Sequence, residues 1–458
     1  MFSFNEFSSS LKLPFGSFWF CLALLFCISI SPVKSQSILD SILDERSRSA
    51  FIDEILEDRI DNLLPTLMDR TGIDMWILIS REYNEDPVMK TMLPSTWLSA
   101  RRRTIMVFNK SNDGLDKIAI ARYSVGKLLK GSWDIDVYPD QWEALMEIIK
   151  EKNPSKIGLN YSDDFALADG LVKTEYAAFM DKLPVEYKDR VTSAQDLSIA
   201  WLETRSQKEM DLYPMICAMG HQILQEAFSS DVITPGETTT DDVIWWLRNR
   251  VTELGLDTWF HPSVSIQRQE MDKNTFLRSF SKRTKDDVIL NGDLLHVDFG
   301  ITYLRLNTDQ QQHFYVLHQD EKEVPQGLRD AFKKGNRLQD ILVSQFKEGR
   351  SGNHILSSAL EQAKEEGITA SIYTHPIGLH GHAAGPTIGL WDQQGGVKGR
   401  GDYPLYPNTA YSIELFAASE IPEWGKIVRI MLEENGVYTE DGFYFLDGRA
   451  EQIYPIPR

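Results

Sequence analysis

The sequence predicts an α+β protein: a smaller N-terminal α/β domain, then a larger domain whose central antiparallel sheet carries acids inside apolar strands. Two observations predict it. Strands alternate with helices from residue 37 to about residue 200. Further on, strand-like runs contain Asp or Glu at positions where an unpaired charge would be costly. The 458 residues allow two or three domains, and 42% hydrophobic residues supply their cores.

The chain opens with Phe15 to Ile30, FGSFWFCLALLFCISI, an uncharged apolar run with Lys12 before it and SPVKSQS after it. This predicts a signal peptide over residues 1–35, cleaved near Ser35, and an exported protein, periplasmic or secreted. An uncleaved membrane anchor is the alternative, but a span needs roughly 20 apolar residues and this run is shorter. Cleavage would remove Cys21 and Cys27 and leave Cys217 alone, so no internal disulfide is expected. A net charge of −19 argues against nucleic acid and anionic lipid as partners. No stable membrane association is expected after cleavage.

Residues 36–203 form the expected N-terminal domain. From Ser37 to about Leu67, Ile52, Ile55, Leu56, Ile60 and Leu63 recur at helical spacing. IDMWILIS, RTIMVF and KIAIARY read as strands, WEALMEIIK as a helix and KIGLN as another strand. That alternation gives a three-layer α/β arrangement. The boundary falls between Trp201 and Gln207, where WLETRSQKE begins a long helix. Residues 204–458 then carry helices at Thr238–Leu254, with an acidic first turn, at Asn336–Phe346 and at His354–Glu366.

Five side chains point to chemistry: Asp298 in HVDFG, Asp309 in NTDQQ, His375 in THPIG, Glu414 in SIELF and Glu433 in LEENG. LNGDLLHVDFG reads as a strand leaving an Asn-Gly turn, and its alternation sets His296 and Asp298 on one face. A second β-prone stretch around Tyr303 lets an adjacent strand present Asp309 beside Asp298. Glu414 and Glu433 also lie in or after apolar, strand-like runs. Four carboxylates and one imidazole form a hard, oxygen-rich set, better suited to two divalent cations than to a lone zinc. The reading is a dinuclear site that activates water. No G-x-S-x-G occurs, and Cys217 in YPMICAMGHQIL reads as core.

These segments resemble the pita-bread metallopeptidases: methionine aminopeptidase, aminopeptidase P, prolidase and the metal-free creatinase. The resemblance covers Glu203 to Arg458 well. Before that it is looser, and the region is similar to the smaller N-terminal domain of the aminopeptidase P and prolidase branch. ITPGETTTDDVIWWLRNRVTELG resembles the helix preceding the catalytic strands, and TEDGFYFLDG resembles the end of the fold. The resemblance implies Asp298 and Asp309 as bridging or bidentate ligands, Glu433 as a bridge, and His375 and Glu414 completing one metal. Thr439, six residues after the last ligand, selects Glu433 over Glu434, since neighbours on a strand face opposite sides. His382, seven residues after His375, is implied as the histidine that bonds the scissile carbonyl or its oxyanion. Glu414 is the residue to move the proton of the attacking water.

His380 reads either as a substrate contact or as a plain loop histidine. His296 reads as a support for the ligands or as a structural residue. His313, His318 and His354 read as surface residues. Trp245, Trp246 and Trp259 read as core or cleft, and the long loop Gly385 to Pro407 is placed over the site, with Trp391 and Tyr403 as substrate contacts. The implied substrate is a short peptide cut at an X-Pro bond. The implied cofactors are two cations, manganese first and zinc or cobalt after it, and the implied assembly is a homodimer. A non-catalytic binding protein and a hydrolase of small non-peptide C–N compounds are the alternatives. Three departures bear on substrate detail: Pro376 follows the ligand histidine, Gln310, Gln311 and Gln312 follow the second Asp, and no histidine lies between Asn274 and Ser279, with His261 only nearby.

Overall fold

The run MWILISR is apolar at nearly every position, so the strand Met75–Arg81 is buried on both faces and takes a central place. In the computed structural model, which describes residues 37–269 and 287–457, it pairs antiparallel with Arg103–Ser111 and parallel with Ile157–Leu159. Gly114–Ala119, Lys130–Gly131 and Val191–Ser193 complete a six-stranded sheet. Trp76, Leu78, Met106 and Phe108 pack on one face, against Leu64, Met68, Val88 and Trp201. Met75, Ile77, Ile79 and Val107 pack on the other, against Trp142, Leu145, Ile149 and Phe179. These are the three layers the alternation predicts. The apolar run Phe15 to Ile30 and the stretch from Asn274 to Ser279 lie outside the described residues. Among the described residues no helix is long and apolar enough to cross a membrane.

The first helical region is more broken than its periodicity suggests. Ile38–Ser41 is a separate 3-10 turn, and Glu45–Asp58 starts behind Asp44, whose carboxylate accepts the Arg46 and Ser47 N–H groups at 3.0 and 3.1 Å. A π-helical turn, Arg59–Leu63, precedes Leu64–Thr71. Arg59 in that turn is buried, stacks on Trp201 at 4.3 Å and pairs with Glu209. Glu209 also takes Arg205 at 3.0 Å and closes the capping box with Ser206 that starts the helix Gln207–Ala227.

Downstream, Ser263–Gln267, Leu294–Phe299, Gln310–Val316 and Tyr454–Ile456 lie side by side in one sheet. Thr369–Ile372, Leu415–Ile421 and Lys426–Leu432 form a second, and His375–Pro376, Thr409–Ser412, Asn435–Thr439 and Gly442–Phe445 a third. Their pairings are antiparallel except that of Gln310–Val316 with Tyr454–Ile456. The helices Gln207–Ala227 and Thr240–Glu253 bury Tyr213, Ile216 and Leu247 with Val297 and Phe299. Gln326–Ser344 and Gly352–Glu365 bury Phe332, Leu338 and Ile355 with Leu415 and Ile430. The helix expected from Asn336 begins earlier, at Gln326, because Leu328, Ala331 and Phe332 extend its apolar face across Gly327 and Gly335.

One tight hairpin positions the site. Thr302–Tyr303 pairs with Leu306–Asn307, and the corner residues Leu304 and Arg305 have φ of 51° and 68°. Non-glycine residues resist this left-handed geometry, which two-residue hairpins require. Burial of Leu304 and a hydrogen bond from Arg305 to the Thr91 carbonyl (3.2 Å) hold it. The chain therefore returns with Gln311 opposite Asp298, and Gln311 also bridges to Glu433 in the neighbouring strands.

The Arg59–Glu209–Arg205 network yields a stability prediction. Glu209→Ala leaves two buried guanidiniums without their shared carboxylate, a change expected to cost about 3–5 kcal/mol. The measurement is the urea midpoint of the variant, and an unchanged midpoint would show that the network contributes nothing.

Candidate metal centre

Asp298 lies near the end of its strand and Asp309 at the exit of the hairpin. Asn435 fixes the second: its Oδ1 accepts the Asp309 N–H at 3.1 Å and its Nδ2 donates to the Asp309 carbonyl at 2.9 Å. His375 donates from Nδ1 to the Pro376 carbonyl (3.0 Å), which turns Nε2 towards Asp309 Oδ2 at 3.6 Å and Glu433 Oε1 at 3.5 Å. Glu414 sits between the strands Thr409–Ser412 and Leu415–Ile421. Three sets of side chains have ligand atoms within 4.8 Å of one another: Asp298, Asp309 and Glu433; His375, Glu414 and Glu433; and Asp309, His375 and His382. The structure thus brings together all five residues expected from the sequence, with His382 beside them. Glu434 turns the other way, accepting the Ala450 N–H (3.0 Å) and facing His221 at 2.8 Å. Strand alternation separates the two glutamates as the sequence register requires. Thr439 itself only closes a hairpin, donating to the Gly442 carbonyl.

Burial, and then the charge of Glu433, push the carboxyls of Asp298, Asp309 and Glu414 well above the usual carboxylate range. Burial disfavours a proton on His375, but the negative charge of Glu433, 3.5 Å from its Nε2, outweighs it and raises this histidine. Asp298 Oδ1, Asp309 Oδ1 and His375 Nε2 are buried without a hydrogen-bond partner. Convergent, unpaired and oxygen-rich, this donor set fits divalent cations.

His382 lies at the exposed edge of the cluster. Its ring is 4.5 Å from that of His375 and 5.1 Å from that of Trp259, and the Tyr373 hydroxyl is 3.5 Å from its Nε2. Although the residue meets solvent on one side, partial desolvation and the adjacent His375 pull it down to about 4, so it is neutral. Trp259 donates to the Thr308 carbonyl (2.9 Å), and a Cβ at residue 381 would lie 2.3 Å from its ring, so only glycine fits there. His380 is not brought to the ligand oxygens; it bonds the Pro87 carbonyl, and burial takes it to about 4.

Several expectations are corrected. His313 is not a surface residue: it is wholly buried, donates from Nδ1 to the Leu295 carbonyl (3.1 Å) and accepts the Met431 N–H at Nε2 (3.0 Å). Its strand is covered on both faces, so burial holds it well below the usual histidine range. Tyr403 turns to Glu203 and packs on Phe165, away from the ligands. Trp245 packs on His261 and is half exposed, while Trp391 is 70% exposed. Cys217 is buried as expected, its Sγ 3.6 Å from Asn435 Oδ1, and burial raises its thiol well above the usual range. Gln311, Tyr373 and Arg400 were not legible as site residues. Arg400, exposed on the loop between Gly385 and Pro407, acts electrostatically on both Tyr373 and His382. Only the His375 and Glu414 flanks of that loop offered a signal for it.

With this geometry in view, residues 215–442 match the model of "Metallopeptidase family M24". The fold is similar to an X-Pro aminopeptidase from Thermotoga maritima MSB8, at 16% identity and a TM-score of 0.59, over 85% of this chain and 99% of that one. It is also similar to a Xaa-Pro dipeptidase from Bacillus anthracis, at 17% identity and a TM-score of 0.55, over 90% and 100%. A prolidase from Pyrococcus furiosus gives 17% and 0.54, over 85% and 100%. A search of curated sequences finds no significant match. The α+β, pita-bread architecture expected from the sequence is the one observed.

The raised carboxyls predict a pH dependence. Their native values lie above the unfolded ones, so the metal-free fold binds more protons than the unfolded chain. The stability they contribute is whole below the ordinary carboxylate range, about pH 4, and is lost as the pH rises through the elevated native values. Cations that need these groups ionised should reverse the loss and release protons. Thermal midpoints of chelator-treated and manganese-loaded protein should therefore diverge as the pH rises from about 4 to about 8. A gap that narrows over that range would contradict the assignment.

Proposed function

This chain belongs to metallopeptidase family M24, and we propose that it is a two-metal peptidase that cleaves short peptides at X-Pro bonds. The observation that carries the proposal is the convergence of Asp298 Oδ1, Asp309 Oδ1 and His375 Nε2, all buried and unpaired, on Glu414 and Glu433. Asp298, Asp309 and Glu433 would hold one cation, and His375, Glu414 and Glu433 the other. Hard oxygen ligands favour manganese, with zinc or cobalt as alternatives. The chemistry a bound pair supplies is a water acidified towards neutrality and a polarised carbonyl. Glu414 takes the proton of the attacking water on a carboxylate oxygen and returns it to the leaving amine nitrogen. Neutral His382 donates its ring N–H to the scissile carbonyl oxygen as negative charge builds there. Trp259 and Tyr373 hold that ring in place.

The proline preference is supported by the similar structures described as X-Pro aminopeptidase, Xaa-Pro dipeptidase and prolidase. Arg400 supports a substrate with a free carboxylate near the cut bond. Its guanidinium is exposed, makes no ion pair among the described residues, and its charge reaches His382 and Tyr373. An exported homodimer belongs to the same proposal, the first supported by the Phe15 to Ile30 run and the second by the prevalence of symmetric pairs. Mass spectrometry of the mature N-terminus and light scattering at micromolar concentration check them. An intact Met1 or a monomer mass would remove the respective part.

The activity test is a panel of X-Pro, X-Pro-Y, X-Pro-amide and X-Ala-Y peptides, followed by mass spectrometry. Cleavage after X in the proline peptides, lost with chelator and restored by manganese, is expected. His382→Ala should keep its metal and lose roughly 10²–10³ in kcat. Arg400→Ala should raise KM for X-Pro but not for X-Pro-amide. Metal-loaded protein that leaves every proline peptide intact would sink the proposal.

A further inference from the structure

Gln311 makes three hydrogen bonds inside the ligand cluster. Its Nε2 donates to Glu433 Oε2 at 2.7 Å and to Glu414 Oε1 at 2.9 Å, and its Oε1 lies 2.8 Å from His296 Nε2. An amide nitrogen facing two carboxylates leaves its oxygen for His296, so His296 carries its proton on Nε2 and presents Nδ1 to Ser265 Oγ at 3.5 Å. Both Gln311 and His296 are buried. The Gln311 backbone is pinned as well: its N–H donates to the Glu433 carbonyl at 2.9 Å, and it stands opposite Asp298 in the ladder.

We infer that Gln311 is the positioning residue for the set His375, Glu414 and Glu433, held in its working orientation by His296. The inference rests on the two-metal reading above. Two buried carboxylates repel each other, and something must keep them at ligand spacing. A neutral amide with two donors ties one oxygen of each without adding a charge, whereas Lys or Arg would compete with a cation. Serine or threonine offers one donor and cannot serve both glutamates. The tie leaves Glu414 Oε2 and Glu433 Oε1 for the cation, and Ser412 Oγ, 2.7 Å from Glu433 Oε1, fixes the other end of that carboxylate. A flipped amide would set Oε1 against two carboxylate oxygens and turn two donors towards the His296 N–H, so the orientation is determined. The glutamine that breaks the family's pattern after the second Asp thus has a function of its own.

The test titrates chelator-treated protein with manganese(II) by calorimetry, a readout independent of turnover. Wild type should take up two ions. Gln311→Met, of similar size but without donors, should weaken the ion held by His375, Glu414 and Glu433 by roughly 10–100-fold, as losses of such supporting bonds commonly do, and weaken the other, which shares only Glu433 with it, less. His296→Ala should weaken that first ion less than Gln311→Met does, and the double variant should be no worse than Gln311→Met alone, because the two act through one chain of bonds. Circular dichroism checks folding, and should Gln311→Met not fold, His296→Ala carries the test alone. Gln311→Met with both affinities kept or raised overturns the inference and spares the two-metal reading. Wild type that takes up no second ion overturns the reading beneath it.

Discussion

Four carboxylates held within a few ångströms of one another inside a protein are the constraint on which the rest of this structure depends. Two like charges 4 Å apart cost about 4 kcal/mol even at an effective dielectric of 20, and burial adds the cost of lost hydration. Side chains on a flexible scaffold would simply move apart. Here each comes from a different strand or turn, and the strands are cross-bonded: Gln311 to Glu433 through the backbone, Asn435 to Asp309, Ser412 to Glu433. The helix pairs on the two cores hold those strands in register. With separation forbidden, the charge is relieved in two ways, by protons, as the raised carboxyls show, and by cations, which the unpaired oxygens fit.

This constraint also decides what was legible in the sequence. Asp298, Glu414 and Glu433 stand out because each lies in or beside an apolar strand-like run, where a charge needs a physical reason. Asp309, in the polar run NTDQQQ, was legible only by its place after the stretch around Tyr303 and through the resemblance. His375 and His382 were legible through their offset and the resemblance. Glu433 was separable from Glu434 because strand neighbours face opposite ways. Gln311 was visible only as a departure, since its role comes from partners 103 and 122 residues away that no local pattern reports. His313 was misread for a related reason. Its strand is buried on both faces, so QQQHFYV shows no alternation and resembles a polar surface stretch.

The N-terminal layers are tied to the site at several points. Arg305 in the strained hairpin bonds Thr91, and His380, two residues before His382, bonds Pro87. Arg70 pairs with Glu203 at 3.0 Å and stacks on Tyr406, while Tyr403 lies beside Glu203. Burial pushes Glu203 up to about 8 despite Arg70. Tyr403 and Tyr406 belong to the loop that carries Arg400, so Arg70 and Glu203 anchor the far end of that loop. Asn353 pins its middle, with Nδ2 on the Val397 carbonyl at 3.0 Å and on Asp402 at 2.7 Å. The loop lacks regular structure, yet it is strapped from both sides.

Charge then links the loop to the ligands. With all four carboxylates ionised and the imidazole neutral, the cluster carries −4, a field that would repel the carboxylate of an approaching peptide. One guanidinium at the rim cannot offset that field alone. The two divalent cations proposed would cancel it and leave Arg400 as an uncompensated charge whose field reaches His382. His296 and His382, both pulled down to about 4, add no positive charge that would compete for the cations. On the proposed two-metal reading the cations would serve chemistry and binding together: the charge that would activate water would also let a peptide carboxylate reach Arg400.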